Sequence, residues 1–411
     1  ELLMADSIWF EIAKTQSSKP KSCRWRPFFC SLCCCLPVVI WIILPFVLGR
    51  TVAFDRFLKP HLPYAKGYLE HTPATLPEYQ YWPGCPIGDK DLDDFEKCAP
   101  PCFSSDLIPS ISRFNKKLTY QKVSYPSRRD LDGKVYTLTG WWLPAATENV
   151  LNGTQAPRVV IQHGFQSNSN DWTMTLAAYY MRSLGFGVLL NNFRNHGYSS
   201  DALHNITTWG YEYHYDLLGA WDYLRVDSDG IMGGELPPAK VGILGFSMGA
   251  FVTINALTME ERIPAAWLES PPSSPWRAFI ESAQRATPLA FDIPGFGAML
   301  WFWLTAKADV DIEARTPLKN LPRGPNSKRP LQIAHNRLDA VVDQADIEKI
   351  VSLASNYPDK YDVKKPFYTN GECNGHNHVV SGLLEPNRYR RRLYEFWTDA
   401  FDLHKSFPIV V

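Results

Sequence analysis

The pentapeptide Gly245-Phe246-Ser247-Met248-Gly249 follows the apolar run Val241-Gly242-Ile243-Leu244 and precedes Ala250-Phe251-Val252-Thr253-Ile254-Asn255-Ala256-Leu257. A buried strand that breaks at Gly-x-Ser-x-Gly and continues as a helix is a nucleophile elbow. The serine sits on a sharp turn, and the flanking glycines let strand and helix approach without Cβ clashes. The helix over residues 250–259 directs its positive N-terminal end at the serine, where an oxyanion would develop.

A serine hydroxyl is a poor nucleophile near neutral pH. It needs a histidine to take its proton, a carboxylate to orient that histidine, and N–H donors for the oxyanion. The strand-like run Leu331-Gln-Ile-Ala334 leads into His335-Asn336-Arg337-Leu338-Asp339, which places Asp339 at a strand end. The run Lys365–Tyr368 leads into Asn370-Gly-Glu-Cys-Asn-Gly-His376-Asn-His378, which places His376 on the next loop. Asp343 competes with Asp339 but suits the N-cap of a helix over 344–353 better. The strand Val159–Gln162 ends in His163-Gly164-Phe165, so the Phe165 N–H and that of Met248 are the candidate oxyanion donors.

The elements that must position these residues alternate. A hairpin over 117–125 and 135–143 is followed by strand-like runs at Arg158–Gln162, Gly187–Leu190, Val241–Gly245, Ala265–Leu268, Leu331–Ala334 and Lys365–Tyr368. Helix-like segments at 171–184, 211–225, 247–260, 343–355 and 387–403 separate them, which predicts a mostly parallel sheet with helices on both faces. Ligands of such sheets bind at the carboxyl ends of the strands, where Ser247, Asp339 and His376 fall.

From about residue 117 to 403 the chain resembles an α/β-hydrolase-fold serine hydrolase of the Bem46-like and prolyl-oligopeptidase-like branch. The matching stretches are His163-Gly-Phe165, the elbow, Leu268-Glu-Ser-Pro271, Trp209-Gly-Tyr211 with Asp216, and the Asp339 and His376 loops. Asn192-Phe-Arg-Asn-His-Gly-Tyr-Ser199 is similar to the family's Asp-x-Arg-Gly-His-Gly-x-Ser, with Asn192 and Asn195 as departures in a structural loop. The resemblance implies the triad order Ser, Asp, His. It favours His376 over His378 because Gly375 precedes it, and it makes Arg194 the anchor of its own loop. Asn336 stands where a Gly is common before the acid, and Asn tolerates left-handed backbone there. His335 and His196 read as structural histidines beside the site.

Ahead of the sheet, 23 residues without a charge lie between Arg26 and Arg50. That run is long enough to cross a bilayer once, so residues 28–49 are expected to form a transmembrane helix. The basic residues Lys14, Lys19, Lys21, Arg24 and Arg26 before it favour a cytosolic N-terminus and a lumenal or extracellular catalytic domain. The sequons at Asn152 and Asn205 fit that topology. So does an expected disulfide among Cys85, Cys98, Cys102 and Cys373. The expected organisation is an N-terminal tail (1–27), the span, a Pro- and Cys-containing connector (50–115) and an α/β-hydrolase domain (116–405) with a small cap at about 272–329.

Lys plus Arg equals Asp plus Glu at 42 each. There is no basic excess to bind nucleic acid. The sequence points to a membrane-anchored serine hydrolase acting on a carboxylic ester or thioester, or on an amide, with a small-molecule or lipid-like acyl substrate. Such chemistry needs no metal and no organic cofactor. A catalytically silent structural or binding subunit of a membrane assembly is the rival from another class. An aminopeptidase would need an acidic anchor for the substrate amine, and Glu269 is the candidate. An open pocket reaching Ser247, with His376 within hydrogen-bond reach, discriminates the enzyme from the silent subunit.

Overall fold

The computed structural model describes residues 43–50, 120–146 and 156–403, the last with breaks at 166, 170, 203–206, 209, 287–295, 300, 303–310, 312 and 374. The strands are β1 (Gln121–Pro126), β2 (Thr137–Leu143), β3 (Arg158–Gln162), β4 (Gly187–Asn191), β5 (Val241–Phe246), β6 (Ala266–Glu269), β7 (Arg329–Asn336), β8 (Tyr361–Val363) and β9 (Phe367–Thr369). They form one sheet in the order β1-β2-β4-β3-β5-β6-β7-β8, with β9 also on β7. β1 and β2 are an antiparallel hairpin, β2 runs antiparallel to β4, and every pairing from β4 to β9 is parallel.

Strand order reverses around β3, which has β4 on one side and β5 on the other. Successive crossovers therefore leave in opposite directions, and a crevice opens at the carboxyl ends of β3 and β5. The predicted oxyanion loop and the predicted nucleophile follow those two ends.

β3, β4 and β5 are buried at every position, as strands covered on both faces must be. Alternation divides their side chains between two cores. Val160 and Ile243 face a core built with α2 (Tyr213–Val226), α3 (Met248–Met259) and α5 (Gln344–Ser355). Val159, Ile161 and Leu244 face the other, built with α1 (Trp172–Ser183) and α6 (Pro386–Ala400). A further helix, α4 (Pro275–Ala286), opens the stretch read from sequence as a cap. Asp343 caps α5 through the Ala345 N–H.

The runs predicted as strands all form: β3 matches its run, β4 and β5 gain one residue each, β6 shifts by one, β7 gains two at each end, and both hairpin strands and the run from Lys365 start later than expected. β8 escaped notice because three residues show no periodicity. Tyr361 holds it by packing in the first core and donating its hydroxyl to the Leu321 carbonyl at 2.9 Å.

One buried ion cluster ties the β4 loop to the helix layer. Arg194, 1% exposed, donates to Asp216 of α2 at 2.7 and 2.9 Å and to Asp130 of the hairpin turn at 2.9 Å. Its guanidinium also lies over the Tyr136 ring at 4.1 Å. Burial disfavours its charge, but Asp216, Glu212 and Asp130 outweigh that and raise its pKa. Arg194 does anchor its loop. Asn195 there adopts φ 64°, a left-handed conformation that Asn tolerates.

Among the described residues no helix is long and apolar enough to cross a membrane. Of the expected span only residues 43–49 are described, as helix. The connector, both sequons, and Cys85, Cys98 and Cys102 lie outside the described residues.

Removing Arg194 strands Asp216 as a buried charge, a change that costs ~3–5 kcal/mol. Urea unfolding of Arg194→Ala should show a loss of that size. A loss below about 1 kcal/mol would contradict the role given to the cluster.

Candidate active site

Ser247 lies between β5 and α3 with φ 52° and ψ −120°, the strained turn expected of a nucleophile elbow. Its N–H donates to the Glu269 carbonyl at the end of β6 (2.8 Å), and its carbonyl accepts from Phe251 (3.1 Å). The two elbow glycines are sterically required. A Cβ on Gly249 would lie 2.6 Å from the Gln162 carbonyl oxygen and collide with that of His163; one on Gly245 would strike the Gly249 carbonyl and Thr253 Oγ1. The loop after β3 runs against the nucleophile, since a Cβ on Gly164 would sit 3.2 Å from the Ser247 Cβ. Phe165 and Met248 line one cavity with Ser247. Met248 opens α3, where first-turn N–H groups have no intrahelical acceptor.

Asp339 follows β7 with its side chain fully enclosed. Its Oδ1 accepts the Val341 and Val342 N–H groups at 2.8 and 3.0 Å. The histidine facing it is His378, whose Nδ1 lies 2.8 Å from Oδ2 and 3.0 Å from Oδ1. Burial pushes the Asp339 carboxyl up, but His378 and the Val342 amide outweigh it and hold the group below its usual value.

The structure brings His378, and not the expected His376, to Asp339. Cys373 and His376 form an antiparallel bridge, with reciprocal N–H···O bonds of 2.7 and 2.9 Å closing across Gly375 at φ 79°. Gly375 therefore serves a tight turn that leaves His376 exposed, two residues short of the carboxylate. The dipeptide Asn374-Gly375 is itself a hairpin signal and would have separated the two histidines. Val379, directly after His378, has φ 51°, a strained value for a β-branched residue.

Two residues take parts that the sequence does not reveal. Asn336, expected to be left-handed, is the extended last residue of β7 and joins the acid and histidine loops. Its Nδ2 donates to the Gly371 and Asn377 carbonyls, each at 2.7 Å, while Asn377 Oδ1 accepts from Ala340 at 3.0 Å. Glu269 is the second. It is 1% exposed and accepts from Tyr389 Oη (2.6 Å) and the Ser381 N–H (3.1 Å). Burial raises its pKa. Both its oxygens are engaged beneath the histidine loop, so it is no free anchor for a substrate amine.

His335 is enclosed, its Nδ1 3.1 Å from Ser270 Oγ and 3.8 Å from Asp339 Oδ2. His196 Nδ1 lies 2.9 Å from the Arg194 carbonyl. Burial lowers both imidazoles to about 4 and takes His163 well below its usual value. A cavity of about 50 Å³ reaches Ser247. No hydrogen bond joins Ser247 Oγ to either His376 or His378; unliganded sites commonly close that contact only around substrate.

Residues 157–293 match the model of the alpha/beta hydrolase fold family. The chain has an α/β-hydrolase fold. An esterase of Pyrococcus furiosus superposes with a TM-score of 0.51 at 20% identity, over 69% of this chain and 91% of that one. A puromycin hydrolase does so with a TM-score of 0.51 at 15% identity, over 71% of this chain and 41% of that one. An acylamino-acid-releasing enzyme of Arabidopsis thaliana is 24% identical over 199 residues, 46% of this chain. This α/β-hydrolase-fold chain spans only 24% of that relative's length. The resemblance to prolyl-oligopeptidase-like α/β-hydrolases holds.

The four buried histidines among the described residues, His163, His196, His214 and His335, give a signed pH dependence. Their folded pKa values lie below the ordinary 6.5, so between about pH 6.5 and 4 the unfolded chain binds more protons. Stability is complete above 6.5 and drains away as pH falls toward 4. The melting temperature should drop over that window, and less in His196→Gln. A flat profile would show that these imidazoles are protonated in the folded state.

Proposed function

We propose that the protein is a serine hydrolase that cleaves a carboxylic ester or thioester through Ser247, His378 and Asp339. The observation that carries this reading is the 2.8 Å contact between His378 and the enclosed Asp339, on the loops beside a strained Ser247. His378 removes the Ser247 proton as Oγ attacks the acyl carbonyl. The oxyanion rests on the Phe165 and Met248 N–H groups. His378 then protonates the leaving oxygen or sulfur, which departs and leaves an acyl-serine. Water, deprotonated by His378, attacks that ester and frees the acid and Ser247. Asp339 fixes the imidazole tautomer and offsets its positive charge.

Fold similarity does not choose ester over amide. The engagement of Glu269 removes the anchor that an aminopeptidase reading relied on. Anchoring belongs to the same proposal: residues 28–49 hold the enzyme on a membrane, with the catalytic domain on the lumenal or extracellular side. The apolar Ile43, Leu44, Phe46 and Val47, all exposed in the described helix, support it.

Hydrolysis of p-nitrophenyl acetate should fall by at least about 10³-fold in Ser247→Ala and in His378→Ala. His376→Ala should stay within about threefold of wild type. The reverse pattern for the two histidines would overturn the assignment. In cells, the full chain should remain in the membrane pellet after alkaline carbonate washing, and deletion of residues 1–50 should release it. Extraction of the full chain by carbonate would exclude the anchor.

A further inference from the structure

The cavity at Ser247 says more than that the site is open. It is walled by Phe165, Met248, Phe251, Pro272, Pro275 and Val342, with Ala278 and Val341 completing it, and Ser247 is its sole polar side chain among the described residues. The nearby acids are engaged elsewhere. Asp346 accepts from Ser273 Oγ at 2.7 Å and lies 3.3 Å from Arg277; Glu313 accepts from Ser274 Oγ and the Trp276 N–H; Glu269 is held by Tyr389 and Ser381. None of them lines the cavity. A charged group placed there would lose its water and gain no counter-ion from the described residues.

Size adds a second limit. The volume is about 50 Å³. An apolar cavity of ~150 Å³ takes the six carbons of benzene, or roughly 25 Å³ per carbon. The space beside Ser247 therefore holds about two carbons beyond the carbonyl. Its walls resist expansion. Met248 and Phe251 belong to the buried face of α3, and Pro272 and Pro275 fix the backbone φ angles where the chain enters α4.

We propose that this cavity is an acyl pocket that selects short, uncharged acyl groups, of the propionyl to butyryl class, from esters or thioesters. The inference rests on the Ser247 mechanism above and narrows its substrate. Each methylene that fits contributes roughly fourfold in kcat/KM, and chains beyond the wall lose that gain to steric clash.

The test uses the full chain in detergent. Active sites are titrated with a fluorophosphonate, and p-nitrophenyl esters from acetate to octanoate are compared. The specificity constant should rise from acetate to propionate or butyrate and fall at least about tenfold by octanoate. Propionyl and alanyl p-nitrophenyl esters form a matched pair that differs by the ammonium; propionyl should lead by more than about 100-fold. Ala278→Leu should lower the ratio of butyrate to acetate, and Val341→Ala should raise that of hexanoate to butyrate. Octanoate equal to butyrate, or an alanyl ester or acetyl-alanyl p-nitroanilide preferred to both, would overturn the pocket while labelling of Ser247 persists. Absence of labelling would instead strike the mechanism, and the pocket with it.

Discussion

The site depends on one close backbone contact. The start of α3 approaches the end of β3 so nearly that only a hydrogen fits on the Gly249 Cα, against the Gln162 and His163 carbonyls. That approach brings the loop bearing Phe165 to Ser247 and aims the first turn of α3 at the crevice where strand order reverses. It also forces Ser247 to φ 52°, a strain of about 1–3 kcal/mol. The helix compensates through burial: Met248 to Thr258 are enclosed between the sheet and α2, and Thr253 Oγ1 closes onto the Gly249 carbonyl at 2.7 Å.

The other half of the site is held by hydrogen bonds rather than by steric closeness. Asn336 binds the two loops that carry Asp339 and His378, and Asn377 returns a bond to the acid loop. Glu269 links both halves. Its carbonyl accepts from Ser247, and its carboxyl accepts from Ser381, three residues past His378. A shift of β6 would displace Ser247 and the loop bearing His378 together, so their spacing depends on one strand. The backbone strain at Val379 fits a loop whose course is dictated by these anchors.

The elbow, the alternation of strands and helices, the role of Arg194 and the capping role of Asp343 were legible in the sequence. The elbow, the alternation and the cap are written in local patterns: glycine spacing, apolar runs, and a carboxylate just before a helix; the role of Arg194 came from the family resemblance. Which of His376 and His378 meets Asp339 was not legible, because a glycine before a histidine can serve a turn as readily as a catalytic loop, and only the pairing across Gly375 shows that His378 is the one. The linking roles of Asn336 and Glu269 were hidden for another reason. Their partners lie tens of residues or more away in sequence, at Gly371 and Asn377 for one and at Ser381 and Tyr389 for the other. Short β8 was invisible because three residues show no periodicity, and only Tyr361 among them is fully buried, with Val363 half-buried against the same core.

The central claim is that Ser247 is an activated nucleophile. Its most direct test is exposure of the full chain to a fluorophosphonate, followed by proteolysis and mass mapping of the adduct. The account predicts one phosphonate per chain, on the peptide that contains Ser247. A folded chain that takes up no phosphonate, or takes it up on another residue, would contradict it.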